Sequence, residues 1–199
     1  MMNELSLHII DLVQNSVRAK AKFIEIILVD DEKRDEILLV VKDDGKGIRK
    51  DEIEKVVDPF YTTKKKKKVG LGISLLYQTT LQCDGDFKIV SAENKGTIVF
   101  AKFKRSHIDL PPIGNIEDTL LSLLTLTDSI DFKFVYRKNN TNFVFDTRKI
   151  KKFIEGVPIM HPEVMRVLKK YIRDGLRSME NKTKGGNFYA KSKESKNSW

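Results

Sequence analysis

The chain has 199 residues, a formal net charge of +9 and a hydrophobic share of 40%. That share supports a packed core and excludes a fully disordered chain, and no apolar run approaches the roughly 18 residues of a membrane span. Because Cys83 is the only cysteine, an internal disulfide is excluded, and the first residues lack the pattern of a secretion signal. We therefore expect a cytoplasmic protein without a membrane segment.

The positive charge is concentrated in two stretches. The five lysines at 64–68 carry five positive charges, and the tail from Arg177 to Trp199 has four more basic than acidic residues, which together equal the net charge. A basic loop and a basic tail do not make a basic domain face, so the charge alone does not indicate nucleic-acid binding.

The hydrophobic pattern predicts a helix over Leu5–Ala19, because apolar residues recur at three- and four-residue steps without Gly or Pro. Runs rich in branched residues predict strands at Lys22–Val29 and Glu36–Lys42, paired as a hairpin. A short helix is predicted at Arg49–Val57, and residues 58–69, which lack an apolar period, are predicted to form a mobile loop.

A further helix is predicted over Gly70–Leu81, followed by strands over Phe87–Ala92 and Thr97–Phe103. This order of elements predicts an α+β fold. The expected architecture is a two-layer α/β sandwich, with helices on one face of a mainly antiparallel sheet.

Two prolines and a glycine mark residues 106–115 as a linker. We therefore predict one domain over 1–105 and a small α+β C-terminal module over 116–179, with a basic, disordered tail over 180–199. The predicted elements of the module are a helix at 116–126, a hairpin at 131–146, and helices at about 147–155 and 161–176.

Asp11 and Asn15 lie four residues apart on the first predicted helix and therefore share a face. An Asn amide oxygen is a suitable ligand for Mg²⁺, and a carboxylate one turn away can orient or deprotonate a water that attacks a γ-phosphate. A helix end that faces solvent is the alternative interpretation.

Two glycine-rich segments follow. In the segment from Asp43 to Ile48, the glycines permit close approach of the backbone to a ligand, and the strand-end carboxylate can accept a hydrogen bond from an exocyclic amine. In the segment from Val69 to Leu75, Gly-Leu-Gly opens a helix whose free N–H groups and dipole favour an anion. Each segment alone is weak evidence.

Together, the motifs resemble those of the GHKL superfamily, the histidine-kinase-like ATPases, over about residues 5–104. The superfamily includes histidine-kinase catalytic domains, type II topoisomerases, Hsp-type chaperones and mismatch-repair ATPases. The five motifs are HIIDLVQNS at 8–16, KDDGKGI at 42–48, DPFYTTK at 58–64, VGLGISL at 69–75 and KGTIVF at 95–100.

The resemblance implies ATP and Mg²⁺ as ligands. It implies that Asn15 binds Mg²⁺ and that Asp43 accepts a hydrogen bond from the adenine amine with support from Thr97. It also implies that the phosphates are held by an ATP lid, which opens at DPFYTTK and contains the lysine run 64–68, and by the glycine box at 69–75. The implied ATP-binding residues are Asn15, Asp43, Gly45, Gly47, Ile48, Thr62, Thr63, Lys64, Gly70, Leu71, Gly72 and Thr97.

Asp11 stands where hydrolases of the superfamily usually have Glu as general base and where histidine kinases commonly have Asn. Asp is one methylene shorter than Glu, and a general base must lie within hydrogen-bond reach of the water. Asp11 is thus a candidate general base, and both slow hydrolysis and γ-phosphoryl transfer to a partner stay open.

We expect a regulator that binds Mg-ATP, either a stand-alone ATPase or a protein kinase that acts on a partner protein, as anti-sigma-factor kinases do. Only four residues precede Leu5, so we do not expect a phosphoacceptor helix.

The alternative is an ATP-gated DNA-processing protein of the mismatch-repair type. In that class, the motif that corresponds to HIIDLVQNS, the N box, is close in sequence to Asp11–Ser16. A pocket used only for binding is a third option. The apolar face of the C-terminal module could pack on the ATPase domain or form a homodimer.

Overall fold

The computed structural model describes residues 4–57, 71–126 and 130–194, apart from the side chains of Glu54, Lys55, Val57, Leu71 and residues 182–194. The elements in chain order are α1 (Leu5–Arg18), β1 (Phe23–Asp31), β2 (Glu36–Asp43), α2 (Lys50–Val57), α3 (Leu71–Gln82), β3 (Asp86–Ser91), β4 (Thr97–Lys104), α4 (Ile116–Leu124), β5 (Asp131–Lys138), β6 (Thr141–Asp146), α5 (Thr147–Phe153) and α6 (Pro162–Glu194).

The strands form one six-stranded sheet in the order β3-β4-β2-β1-β5-β6. All neighbours are antiparallel except β1 and β5, which run parallel. Along β1, buried side chains alternate with half-buried ones, so that Ile24, Ile26 and Leu28 all face the core. The predicted hairpin and the mainly antiparallel sheet are confirmed.

The helices α1, α3, α4 and α6 form a layer on the core face of this sheet. Residues Leu5, Ile9, Leu12 and Val13 of α1 are buried, which is the stripe that the sequence pattern predicted. The packing of this stripe against the sheet confirms the two-layer α/β sandwich.

The C-terminal strands continue the same sheet. β5 pairs with β1 over eight residues, from Phe23 opposite Asp131 to Asp30 opposite Lys138. Buried side chains of α4 and β5, among them Leu120 and Phe134, join the core formed by α1 and β1. The apolar face of the predicted module therefore packs within the chain, while the division at the linker stays a prediction.

The linker is held against the start of α1. No side chain caps this helix; instead the N–H groups of Leu5 and Ser6 donate to the carbonyl oxygens of Pro112 and Ile113, both at 2.9 Å. Two of the four donors that a helix start leaves without intrahelical partners are satisfied in this way. The linker thus contributes to the fold of the preceding domain.

The last helix is longer than predicted. α6 continues to Glu194, so the backbone is helical over residues 180–194, where the composition predicted disorder. Propagation of a helix that is already formed costs little, because each added residue gains a hydrogen bond. Across the described residues, no helix is both long and apolar enough to cross a membrane.

A buried ion cluster lies at one end of the sheet. Asp30, which is 3% exposed, faces the core from the end of β1. Its carboxylate accepts a hydrogen bond from Arg105 at 2.6 Å and lies 3.6 Å from the ammonium group of Lys138. The carboxylate thereby ties the end of β1 to the segment after β4 and to the end of β5.

His8 is a buried residue of α1 without polar contacts. Its side chain is fully buried, and neither ring nitrogen has a hydrogen-bond partner among the described residues. Burial lowers the pKa of His8 from 6.5 to about 4, because the charged form would lose its hydration. The imidazole is therefore a neutral packing residue at neutral pH.

Acid should destabilise the protein through His8. Its folded-state pKa lies below its unfolded-state pKa, so the unfolded chain binds the proton first as the pH falls from 6.5 towards 4. From about pH 7 to about pH 5, this group should lower the free energy of unfolding by about 2 kcal/mol. Urea unfolding of wild type and His8→Leu at both pH values measures the difference. If the free energy of unfolding changed equally with pH in the two proteins, the assignment to His8 would be contradicted. The variant His161→Gln, which alters an exposed histidine, serves as control.

Candidate functional site

Asp43, at the end of β2, has its carboxylate fixed by two donors. Ser16 on α1 donates to Oδ2 at 2.8 Å, and the Gly45 N–H donates to Oδ1 at 2.8 Å. An ionised carboxylate has about four acceptor positions, so it can still accept a hydrogen bond from a ligand amine. This donor set fits the predicted role of Asp43 towards adenine.

Thr97, at the start of β4, lies directly opposite Asp43 in the sheet. Ser91 connects it to the glycine loop: the Ser91 oxygen lies 2.9 Å from the Thr97 hydroxyl and accepts a hydrogen bond from the Ile48 N–H at 2.8 Å. The structure thus brings Asp43 and Ile48, which belong to one motif, together with Thr97, which lies far along the sequence. The sequence analysis missed the contacts of Ser16 and Ser91, because their hydrogen-bond partners are distant along the chain.

Two glycines allow the loop after β2 to pack on the turn between β3 and β4. Gly47 and Gly96 have φ values of +68° and +81°, which side-chain-bearing residues rarely adopt. A Cβ atom at Gly47 would lie 2.0 Å from the carbonyl oxygen of Ala92, and one at Gly96 would lie 2.0 Å from that of Asp43. Both positions therefore exclude larger residues. At Gly45, a Cβ atom would lie 2.9 Å from the side chain of Ala19.

Asn15, the predicted Mg²⁺ ligand, is half-buried near the end of α1. Its amide oxygen accepts a hydrogen bond from the exposed Arg18, one turn further on, at 2.8 Å. A neutral amide oxygen fits a Mg²⁺ ion that is held by few protein groups together with phosphates and water. The sequence analysis missed Arg18, although its spacing of three residues from Asn15 could have indicated the contact. An exposed guanidinium at this place can also pair with a phosphate.

Asp11 lies against the first turn of α3. A Cβ atom at Gly72 would come within 2.8 Å of the Asp11 Oδ2 atom and 3.0 Å of its Cβ atom. The start of a helix carries partial positive charge and free N–H groups, which favour an anion. The structure therefore brings Asp11 and Gly72 together beside the face of α1 that carries Asn15, and the anion-binding role of this position stays a prediction.

Several predicted site residues lie outside the described residues. These are Thr62, Thr63, Lys64 and Gly70, together with the side chain of Leu71. The proposal that the lysine run 64–68 forms an ATP lid stays a prediction. In the part of the chain that is described, no group of three or more His, Cys, Asp or Glu side chains could hold a metal ion. The predicted Mg²⁺ position is of another kind, since it relies on one amide oxygen and on phosphates.

Residues 3–107 match the model of the family described as histidine kinase-, DNA gyrase B-, and HSP90-like ATPase. The chain belongs to this family. The match covers more than half of the chain, includes every predicted site residue, and confirms the resemblance to the GHKL superfamily.

Curated relatives within this ATPase family are much longer proteins. Sporulation kinase E of Bacillus subtilis is 30% identical over 120 residues, which are 58% of this chain and 15% of the kinase. Sensor kinase CckA of Brucella abortus is 41% identical over 64 residues, 32% of this chain and 7% of the kinase. The chain spans less than a quarter of the length of either relative.

Among solved structures, the N-terminal domain of a DNA repair protein superposes with a TM-score of 0.50 at 18% identity. The superposition covers 72% of this chain and 52% of that one. At this level of identity the likeness shows the shared fold.

The contact between Asp11 and α3 predicts a coupling between two substitutions. Inside a helix, Ala is about 1 kcal/mol more favourable than Gly, but at position 72 the added Cβ would meet Asp11. Gly72→Ala should therefore destabilise the wild type but be neutral or stabilising in Asp11→Ala. We expect a coupling free energy of about 1 kcal/mol in a urea-unfolding double-mutant cycle. Equal effects of Gly72→Ala in both backgrounds would contradict the contact.

Proposed function

We propose that this chain binds ATP with Mg²⁺ between α1, the loop after β2, the start of β4 and the start of α3, and that its nucleotide state controls a partner protein. The carboxylate of Asp43 carries the proposal. Ser16 and Gly45 fix its orientation, it keeps capacity for a further donor, and Thr97 lies opposite it.

The proposed roles of the adenine-side residues are those that the family resemblance implies, and this geometry supports them. Asp43 accepts a hydrogen bond from the adenine amine, and Ile48 packs against the ring. The loop at Gly45 and Gly47 passes close to the base and sugar, because these residues carry no side chain. The link from Ile48 through Ser91 to Thr97 holds this side of the pocket in place.

On the phosphate side, Asn15 would provide the amide oxygen for Mg²⁺, and the family resemblance implies that the N–H groups of Gly70, Leu71 and Gly72 would hold the phosphates. Thr62, Thr63 and Lys64 contribute from the lid. When bound, Mg²⁺ would neutralise part of the charge that the phosphates carry in the transition state.

The proposed pocket is compatible with two reactions, which differ in the role of Asp11. As a general base, it accepts a proton from a water that attacks the γ-phosphorus, and ADP leaves with the electrons of the broken P–O bond. In phosphoryl transfer, a side chain of the partner takes the place of the water. The names of two curated relatives, sporulation kinase E and sensor kinase CckA, support phosphoryl transfer.

The spacing of Asp11, Asn15 and Ser16 also supports an alternative, an ATP-gated DNA-processing protein. This alternative requires duplex binding that weakens steeply with salt, because phosphate contacts release counterions. The absence of duplex binding at low salt would remove it.

Adjacent acidic residues provide a matched test of nucleotide binding. Asp43→Asn leaves one oxygen for two protein donors and removes the charge, so we expect ATP affinity to fall at least about tenfold. Asp44→Asn keeps the single oxygen that accepts from the N–H groups of Lys22 and Phe23, so its affinity should stay within about twofold of wild type. Isothermal titration with a non-hydrolysable ATP analogue measures both. Equal affinities of the two variants would refute the assignment of Asp43.

ATP labelled at the γ-phosphate tests the reaction. We expect Asn15→Ala to remove the Mg²⁺ dependence of binding, and Asp11→Asn to bind ATP while losing about a hundredfold in phosphate release. Free phosphate and protein-bound label are followed together. Release that is unaffected by Asp11→Asn would exclude Asp11 as the base, and binding without release in wild type would identify a kinase that requires its partner.

A further inference from the structure

Exposed apolar side chains are concentrated in the C-terminal part of the chain. We use the name α5–α6 surface for residues 147–171, which comprise α5, the connection at 154–161 and the first turns of α6. Nine large hydrophobic side chains are exposed among the described residues, and five of them fall here. They are Phe153 at 86% exposure, Val157 at 44%, Met160 at 40%, Val167 at 63% and Tyr171 at 50%.

These side chains lie outside the buried core, although the Tyr171 ring contacts the core rings of Phe143 and Phe145, with ring centres 5.7 and 6.2 Å away. Another side of α6 supplies the buried residues Leu168, Ile172 and Met179. Val167 and Tyr171, four residues apart, share the outer side of the helix. The Tyr171 hydroxyl donates to the carbonyl oxygen of Val144 at 3.2 Å, so this stripe lies along the edge strand β6. The fold holds an exposed apolar stripe in a fixed position.

The same surface is strongly basic. Residues 147–171 contain seven Lys and Arg and two Glu, a net charge of +5. Lys149, Lys152 and Lys170 are exposed, and none forms a salt bridge within the described parts of the chain. Lys169 is exposed on the other flank of α6, near Glu117 of α4, and is not counted with them. The charge count along the sequence missed this surface, because acidic residues elsewhere offset it.

We propose that the α5–α6 surface binds an acidic segment of a partner protein, with an aromatic or large aliphatic side chain as anchor. Unpaired lysines attract and orient an acidic segment, and exposed apolar side chains supply the contact energy. A DNA duplex would pair with the lysines but leave Phe153 and Val167 without apolar contact. Phe153 and Val167 project outward, but the Tyr171 hydroxyl is bound to the backbone of β6, so the apolar side chains do not form one face that could insert into a membrane together.

The position of α5 relates this surface to the nucleotide pocket. The Arg148 guanidinium lies 3.8 Å from the centre of the Phe23 ring, at the start of β1. The Phe23 N–H donates to Asp44, which directly follows Asp43. The start of α5 and the glycine loop therefore lie at the same end of the sheet. On this point the inference rests on the proposed function and identifies the chemistry of the partner.

A random-peptide phage library, selected against the full chain and counter-selected against the double variant Phe153→Ser/Val167→Ser, tests the proposal. We expect the selected peptides to be acidic and to contain an aromatic or large aliphatic residue. Their affinity, measured by fluorescence anisotropy, should fall at least about tenfold in Phe153→Ser and in Lys149→Gln/Lys152→Gln. Ile108→Ser, which alters an apolar side chain that is 94% exposed in the linker, is the matched control and should bind as wild type does.

Peptides that are neutral or basic, or that bind Phe153→Ser as tightly as wild type, would overturn the proposal. Binding of a DNA duplex or of anionic lipid vesicles that the same variants abolish would also overturn it and would identify the other class of partner. ATP binding is measured separately on each variant, and Phe153→Ser should retain it. Loss of peptide binding with intact ATP binding supports the surface, whereas failure of wild type to bind ATP refutes the proposed function alone.

Discussion

The parallel pairing of β1 with β5 is the constraint on which the rest of the molecule depends. β1 has an antiparallel neighbour in β2 and a parallel neighbour in β5, so both halves of the chain meet at this strand. Parallel strands cannot be joined by a tight turn, and the returning chain must cross over a face of the sheet. Here it returns through the linker and α4, which packs beside α1 and allows α6 to complete the helix layer. The buried Asp30 carboxylate fixes the same junction, because its partners Arg105 and Lys138 come from the segments on either side of the crossover.

At the opposite end of the sheet, the candidate pocket is shaped mainly by backbone contacts. The loop after β2 and the turn before β4 approach so closely that the Cβ atoms excluded at Gly47 and Gly96 would meet carbonyl oxygens at 2.0 Å. The Asn94 N–H donates to the Lys46 carbonyl oxygen at 2.6 Å across this contact. Asp43 is therefore held in place by the packing of two turns as well as by its own hydrogen bonds. A carboxylate that contacts within the chain already hold in place lowers the ordering cost of binding.

Local patterns in the sequence predicted the helices and strands, whereas the features that these patterns missed depend on long-range contacts. The helices and strands begin and end within two residues of the predicted bounds, apart from the end of α6, because their apolar periods are local. Asp43 and Thr97 were predicted as site residues from the order of motifs. Ser16 and Ser91 were not, because their partners Asp43 and Ile48 lie 27 and 43 residues away and leave no local signal. The pairing of β5 with β1 was missed for the same reason, since a strand has the same pattern whichever neighbour it has.

The contacts around Asp44 give a physical route between the pocket and the C-terminal half. One oxygen of Asp44 accepts the N–H groups of both Lys22 and Phe23, at 2.7 and 2.9 Å, so the glycine loop cannot move without displacing the start of β1. That start is bound in turn to the beginning of β5, because the Asp131 N–H donates to the Lys22 carbonyl oxygen at 2.9 Å. Lys151 of α5 lies 2.9 Å from the Asp131 carboxylate. Coupling between two sites requires that ligands distinguish two states of a shared element. By reciprocity, any partner that binds the nucleotide-bound state more tightly must raise nucleotide affinity by the same factor.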